Sequence, residues 1–375
     1  EDMAGITLNL LQRADGTTET RPRLWSNCDS NAAVAFRELW TGKFQGIADD
    51  AAFFMIDEPR GQYFTGEVVG DMSKPSQQAF MEWAAAHGVE GLPDGKLPAR
   101  ARTWDFYKFY IFRLETVPVF VRQAVSDSPL QSLPVMPGNG NVGPESMNHN
   151  CFWPPAIARH GLISASWSYD SPASAKMYAE TLRIAEEYGG DHYVWPPMWA
   201  GHHIPVEDIP TTTACISALN TKVCPWNFRG ALHGPQRRDW MQTAYYGARL
   251  THATTGLIHM PSLYVWCPDS IAYNDLVEFN RAEAGHWKRV YETLFEANID
   301  YAVTNRITVP SNVLLMYSCK KPVLNEVEFS RLQRFVEQGG TIITTFGDVP
   351  ESPKSEKIEE WDDLDSDHLL ALNLG

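Results

Sequence analysis

Short apolar runs alternate with helical periods along most of this chain, and that alternation limits the fold more than any other feature. Residues 51–56 are continuously apolar and stop abruptly at Asp57. A strand that is apolar on both faces requires a parallel sheet covered on both sides. Similar short runs occupy residues 6–11, 133–136, 162–167, 192–195 and 263–266. Helical patterns lie between them, among them residues 104–125 and a segment that starts at Pro172 and is stopped by Gly189. This alternation predicts a parallel sheet with right-handed crossovers.

The number of these strands favours a closed barrel. Six strands can be counted up to residue 266, or seven if residues 223–226 form one, whereas a (β/α)8 barrel has eight. We therefore predict an α/β fold, namely a (β/α)8 barrel that lacks about two of its first βα units in this chain. An open doubly wound sheet is the alternative. Against it, no glycine-rich phosphate loop of either common type follows a strand.

The pattern changes near residue 285 and predicts a second, smaller domain. Short apolar runs at residues 301–303, 313–317 and 341–345 alternate with amphipathic helical segments. This arrangement is typical of a flavodoxin-like sheet. We predict a barrel domain over residues 1–284 and an incomplete flavodoxin-like accessory domain over residues 285–375, which would support homo-oligomerisation.

Composition excludes several classes of partner. The net charge of −15 disfavours nucleic acid and anionic lipid as partners. No run approaches the roughly 18 apolar residues of a membrane span. The 13 tryptophans either form a large aromatic core or provide flat, partly wet platforms on which pyranose rings stack.

Metal and cofactor binding are not expected. The six cysteines are scattered without zinc-ligand spacing. Adjacent His202 and His203 cannot both point at one ion from a regular strand. His202 is more plausibly a residue that binds substrate, relays a proton or simply belongs to a loop.

The carboxyl ends of the predicted strands carry the candidate site, because barrel active sites lie at that edge. The residues there are rich in carboxylates, amides, imidazoles and indoles, which are the groups that bind sugar hydroxyls and rings. They are Asp57 and Glu58; Asn139; Trp167, Tyr169 and Asp170; Trp195, Trp199 and His202; and Trp266 and Asp269.

The Asp57-Glu58 pair is the sharpest of these features. Burial at a strand end and a neighbouring carboxylate should both raise the pKa of Glu58. A carboxyl group with a raised pKa can donate a proton to a leaving glycosidic oxygen. The competing interpretation is an acidic pair that caps a helix after the strand.

A second polar and aromatic cluster lies within residues 226–234. Its Arg229 and His233 could bind the carboxylate or sulfate of an acidic sugar. Equally, Arg229 could simply fix a loop to the rim of the barrel.

Residues 53–59 read Phe-Phe-Met-Ile-Asp-Glu-Pro and resemble the fourth strand of clan-A glycoside hydrolases, which ends in the acid/base glutamate. The Asp-Glu-Pro form is similar to family 123 N-acetylgalactosaminidases. Residues 331–341 resemble the amidotransferase-like domain that follows the barrel in family 42 β-galactosidases. The resemblance implies that Glu58 is the acid and that Asp57 assists the substrate's own acetamido group.

One departure from the clan-A pattern concerns the nucleophile. Retaining members carry a glutamate at the end of strand seven, but residues 192–203 contain no carboxylate after that strand. Three explanations stay open. The mechanism is substrate-assisted, the partner carboxylate is Asp170 or Asp269, or the domain has lost its hydrolytic activity.

These patterns together predict a glycoside hydrolase that acts on an oligo- or polysaccharide in an extracellular or periplasmic compartment. Another polypeptide could supply the missing barrel strands. The alternative is a catalytically inactive carbohydrate-binding or scaffold protein that keeps the barrel.

Overall fold

The computed structural model describes most of the chain. The described residues are 5–13, 17–57, 59, 68–87, 104–139, 142–143, 146–147, 150–167, 171–195, 209–219, 221–223, 234–273, 282–307, 313–316, 324–344 and 369–371. Within them, no helix combines the length and the apolar character needed to cross a bilayer.

The strands are short and the helices vary widely in length. The strands are β1 Leu8–Arg13, β2 Thr18–Trp25, β3 Phe54–Asp57, β4 Val68–Asp71, β5 Val135–Asn139, β6 Ser164–Trp167, β7 His192–Trp195, β8 Lys222–Val223, β9 Leu263–Trp266, β10 Tyr301–Thr304, β11 Val313–Met316, β12 Thr341–Thr344 and β13 Leu369–Ala371. The helices are α1 Ser30–Phe44, α2 Lys74–Ala86, α3 Trp104–Val125, α4 Pro154–Arg159, α5 Pro172–Arg183, α6 Ile209–Ala218, α7 Gly234–Thr254, α8 Ala282–Glu296 and α9 Glu326–Glu337.

Five strands form a parallel sheet, here called the first sheet, in the order β3-β5-β6-β7-β8. Strands that neighbour each other in this sheet are separated in sequence by helices α2 to α6. The sequence prediction of a parallel sheet with helical crossovers is therefore confirmed for these strands.

Local signals define the helices of the first sheet. The side chain of Asp29 accepts a hydrogen bond from the Asn31 backbone N–H at 2.9 Å and so caps α1. Ser171 caps α5, Pro172 occupies its first position, and the chain turns at Gly189 with φ 71°. Each of these two helices therefore begins directly after a residue whose side chain caps it.

The first run of the chain does not join the first sheet. Strand β1 pairs antiparallel with both β2 and β4, in a separate three-stranded sheet. The alternation along the sequence predicted that this run is a barrel strand, and that prediction is wrong. β1 ends at Arg13 and β2 begins at Thr18, so β1 has an antiparallel partner close by in sequence.

The remaining five strands form a second parallel sheet in the order β10-β9-β11-β12-β13. In sequence order this is 2-1-3-4-5, the arrangement of flavodoxin-like sheets. Strand β9 was predicted to be the last barrel strand, but it pairs with β10 and β11 instead. The chain therefore passes to the second sheet before residue 263, and not near residue 285.

A continuous aromatic core joins the two sheets. It includes Phe80 and Tyr107 from the first unit and Tyr273, Trp287 and Tyr291 from the second. The rings of Tyr107 and Tyr273 pack edge to face, with centroids 5.1 Å apart. Part of the aromatic surplus therefore serves the core. The first unit comprises the described residues before Leu263, and the second unit comprises those from Leu263 onward. The two units pack against each other through this core.

Candidate functional site

The carboxyl edge of the first sheet aligns several predicted site residues. In the parallel register, Asp57 lies opposite Gly138, and Asn139 lies opposite Ser166. One step further, Trp167 lies opposite Trp195. Backbone pairing alone therefore places Asp57, Asn139, Trp167 and Trp195 at the same edge, which is the edge that holds active sites in barrels.

Several predicted site residues lie outside the described residues, and their roles stay predictions. They are Glu58, Tyr169, Asp170, Trp199, His202, Arg229 and His233. For Asp57, Trp167 and Trp195 the structure describes the backbone only. Glu58 directly follows Asp57, the last residue of β3. The acid/base prediction for Glu58 therefore rests on its place in the sequence.

Asn139 is the best-defined side chain at this edge. It is 2% exposed, and its amide Nδ2 donates to Ser146 Oγ at 2.7 Å. Its Oδ1 accepts from Asn150 Nδ2 at 3.1 Å. An asparagine has two N–H donors and two lone pairs on its oxygen, so the described residues leave one of each without a partner. The amide is thus held in one orientation while it keeps capacity for a hydroxyl group.

Trp266 does not provide a sugar platform. Its side chain is completely buried, among Leu324, Phe329 and Leu332 of the second unit. Its indole Nε1 donates to the Asn305 backbone oxygen at 3.0 Å. The prediction of a platform is wrong because β9 lies inside the second sheet, where its last residue faces the core and not a groove.

Asp269 is committed to protein partners. Its Oδ1 accepts from Trp153 Nε1 at 2.6 Å and from Asn305 Nδ2 at 3.1 Å. Its Oδ2 lies 3.5 Å from a guanidinium nitrogen of Arg159. The carboxylate therefore ties the second unit to the first, and this position argues against Asp269 as a ligand for sugar or as the partner carboxylate.

The junction between the two units contains a buried acid, Glu328, that was not predicted as a site residue from the sequence. Glu328 accepts hydrogen bonds from Ser270 Oγ at 3.1 Å and from the Asn325 backbone N–H at 3.0 Å. Burial, and secondarily the nearby Asp269 carboxylate, raise the pKa of Glu328 to about 7. The pattern Asn325-x-x-Glu328 is a capping box, a signal that could have located this residue.

A large groove lies elsewhere on the first unit. Its volume is about 740 Å³, and it runs between α2 and α3, with Lys74, Trp83, Glu115 and His160 in its lining. None of the predicted site residues is among the described residues that line it. Within the described part of the chain, no group of three or more His, Cys, Asp or Glu side chains could hold a metal ion.

Comparison with known proteins gives matches at the level of structure only. No family model matches the sequence, and no curated protein matches it. A β-galactosidase from the psychrophilic Marinomonas ef1 matches with a TM-score of 0.62 at 11% identity, over 91% of this chain and 64% of that one. A polyextremophilic β-galactosidase from the Antarctic haloarchaeon Halorubrum lacusprofundi matches with a TM-score of 0.57 at 14% identity, over 90% and 59%.

A catalytic mutant of a GH42 β-galactosidase from G. stearothermophilus matches with a TM-score of 0.64 at 10% identity, over 91% of this chain and 58% of that one. At such identities the matches show the fold, which is similar to that of GH42 TIM-barrel enzymes. The resemblance to family 42 noted in the sequence is confirmed at this level. The chain spans about three fifths of the length of these neighbours.

Proposed function

We propose that this chain is the greater part of a glycoside hydrolase, with Glu58 as its general acid/base. The observation that carries the proposal is the carboxyl edge of the first sheet. Asp57, Asn139, Trp167 and Trp195 are aligned there by strand register, in a fold similar to that of β-galactosidases. Glu58 directly follows Asp57 in the sequence.

The proposed chemistry follows from the residue types. Glu58 protonates the leaving glycosidic oxygen, and Asp57 orients the substrate or polarises its acetamido group. Asn139 binds a hydroxyl group, while Trp167, Trp195 and Trp199 offer ring surfaces, with Tyr169, His202, Arg229 and His233 as further contacts. Asp170 is the better candidate for a second carboxylate, because Asp269 is occupied in the junction.

The first sheet is proposed to close into a (β/α)8 barrel, with its remaining strands from polypeptide beyond residues 1–375. The accompanying flavodoxin-like unit would serve assembly into a homo-oligomer. An extracellular or periplasmic location suits a hydrolase of oligo- or polysaccharides. No metal or cofactor is required for this chemistry.

The direct test compares Glu58→Gln with wild type on a panel of aryl glycosides and oligosaccharides. Loss of a general acid should lower kcat/KM by about 10²–10⁴-fold, while sugar binding persists. Glu82→Gln is the matched control, because Glu82 is an exposed acid on α2 that receives a hydrogen bond only from Gln78 among the contacts described for it. Equal activity of Glu58→Gln and wild type would refute the proposal.

A catalytically inactive carbohydrate-binding protein is the second candidate. One observation favours it, namely that no carboxylate occurs between the end of β7 and Glu207. A wild-type protein that binds sugars and cleaves none of the panel would support this alternative.

A further inference from the structure

The segment that follows β5 connects the candidate site to the second unit. Its described residues are 142–143, 146–147 and 150–153. On one side, Ser146 and Asn150 hold the two ends of the Asn139 amide, at 2.7 and 3.1 Å. The segment is also bonded to itself, since the Phe152 N–H donates to the Ser146 oxygen at 3.3 Å.

On its other side, the same segment contacts the second unit at two separate points. Trp153, which is fully buried, donates its indole N–H to Asp269 Oδ1 at 2.6 Å. Gly143 lies against the ring of Trp287 on α8. A Cβ atom at Gly143 would come within 2.2 Å of that ring, and φ is +112° there. Only glycine permits this approach and this backbone conformation.

The socket for Trp153 is itself fixed by the second unit. Asn305 follows β10, and its Nδ2 donates both to Asp269 Oδ1 at 3.1 Å and to the Cys267 oxygen at 2.9 Å. The Asn305 backbone N–H donates to Glu187 at 3.1 Å. Asn305 therefore fixes the Asp269 oxygen that accepts the hydrogen bond from Trp153.

We propose that Asp269 and Trp287 are positioning residues, through which the second unit sets the orientation of the Asn139 amide at the carboxyl edge of the first sheet. The inference rests on the proposed function, in which Asn139 binds a substrate hydroxyl. It gives the second unit a role in the reaction, in addition to assembly. Orientation of this kind matters because a misplacement of about 1 Å can cost about 10²-fold in rate.

The test uses Trp153→Phe, which removes the indole donor and keeps an aromatic ring. Asp269→Asn keeps the Oδ1 acceptor that both Trp153 and Asn305 use, and it loses only the charge that faces Arg159. Gly143→Ala disturbs the second contact point independently. Asp300→Ala is the control, because Asp300 pairs with Lys176 at 2.7 Å and His259 at 2.8 Å, away from residues 142–153.

Two readouts distinguish a failure of this inference from a failure of the proposed function. Hydrogen–deuterium exchange should accelerate in peptides covering residues 142–153 for Trp153→Phe and Gly143→Ala, and stay as in wild type for Asp269→Asn and Asp300→Ala. Hydrolysis should show kcat lowered about tenfold with little change in KM for the first two variants. Asp269→Leu, which removes the acceptor that Trp153 and Asn305 use, should lower kcat as Trp153→Phe does, and the conservative Asp269→Asn should restore kcat to within about twofold of wild type.

Unchanged exchange in Trp153→Phe and Gly143→Ala overturns the inference, as does faster exchange with unaltered kcat. If wild type cleaves no glycoside, the proposed function fails, and the exchange data still decide whether the second unit restrains this segment. Melting temperatures are measured alongside. A variant that fails to fold is replaced by the other contact-point variant, because the two act at separate points of the segment.

Discussion

The ends of β3 and β9 have the same sequence character but opposite roles. Both are short apolar strands with acidic residues at or near their ends: Asp57 ends β3 and is followed by Glu58, and Asp269 lies three residues after the end of β9. Strand β3 forms one end of the first sheet and delivers Asp57 to its carboxyl edge. Strand β9 lies inside the second sheet, where Trp266 is buried and Asp269 binds neighbouring protein groups. A strand-end acid therefore acquires its role from the sheet that the strand joins.

The largest expected effect concerns Trp266, which is a core residue in this comparison. Trp266→Ala removes a fully buried indole and leaves Asn305 without its donor. The free energy of unfolding should fall by about 3–5 kcal/mol. Denaturant titration measures this loss. A variant of unaltered stability with a raised KM would instead make Trp266 a sugar platform.

Asp57 and Asp269 should differ sharply when the same change is made at both. Asp57→Asn should lower kcat by about 10²-fold if this carboxylate orients substrate at the sheet edge. Asp269→Asn should change kcat by no more than about twofold, because it keeps the accepting oxygen in the junction. Steady-state kinetics on one aryl glycoside compares them, and equal losses at both positions would remove the distinction between the two strand ends.

The junction should also respond to pH through Glu328. Its pKa is raised from the ordinary 4.5 to about 7 in the folded protein, mainly by burial. The folded state therefore binds the proton more tightly than the unfolded state. This contribution is fully present below about pH 4.5 and is lost as pH rises through 7.

Between pH 5 and 8, wild type should lose roughly 2 kcal/mol of unfolding free energy through this group. Nearly all of that loss falls between about pH 5 and 7, where the slope is at most about 1.4 kcal/mol for each pH unit. Glu328→Gln keeps the neutral form and should abolish most of that slope. Urea titrations at the two pH values measure it. The groups that face Glu328 are Tyr107, Ser270, Asn325 and Asp269. A slope that persists unchanged in the variant would contradict the assignment of the pH dependence to Glu328.

The smallest effect is expected for Trp195, at the carboxyl edge of the first sheet. Trp195→Ala should raise KM two- to tenfold if its indole stacks on a sugar, since such contacts contribute about 0.5–1.5 kcal/mol. Its effect on stability should be well below that of Trp266→Ala. A stability loss as large as that of Trp266→Ala would place Trp195 in the core as well.

Local signals in the sequence predicted the elements, whereas sheet membership depended on contacts that are distant in sequence. The pattern at residues 104–125 predicted α3 with its exact bounds, and Gly189 marked the end of the helical segment before β7. Nothing local to residues 263–266 distinguishes a barrel strand from the first strand of a second sheet. That choice is made by pairing with β10 and β11, whose residues lie about 40–50 positions later.

The candidate site was predictable to the same extent. Strand alternation placed Asp57, Asn139, Trp167 and Trp195 at one edge, because the carboxyl ends of parallel strands share an edge. The links from Asn139 through Asn150 and Trp153 to Asp269 join residues 116 positions apart in their last step. Such links form only when both units have packed together, so no sequence pattern predicts them.

The central claim is that Glu58 donates a proton to the leaving group, and a series of aryl glycosides with leaving groups of increasing pKa tests it most directly. Wild type should show a shallow dependence of log kcat/KM on leaving-group pKa, because protonation assists poor leaving groups. Glu58→Gln should show a steep dependence, with activity nearly normal on the most acidic phenols and lowered about 10²–10⁴-fold on the least acidic. If the plots of log kcat/KM against leaving-group pKa had the same slope for the two proteins, the account would be contradicted, whether or not the variant were uniformly slower.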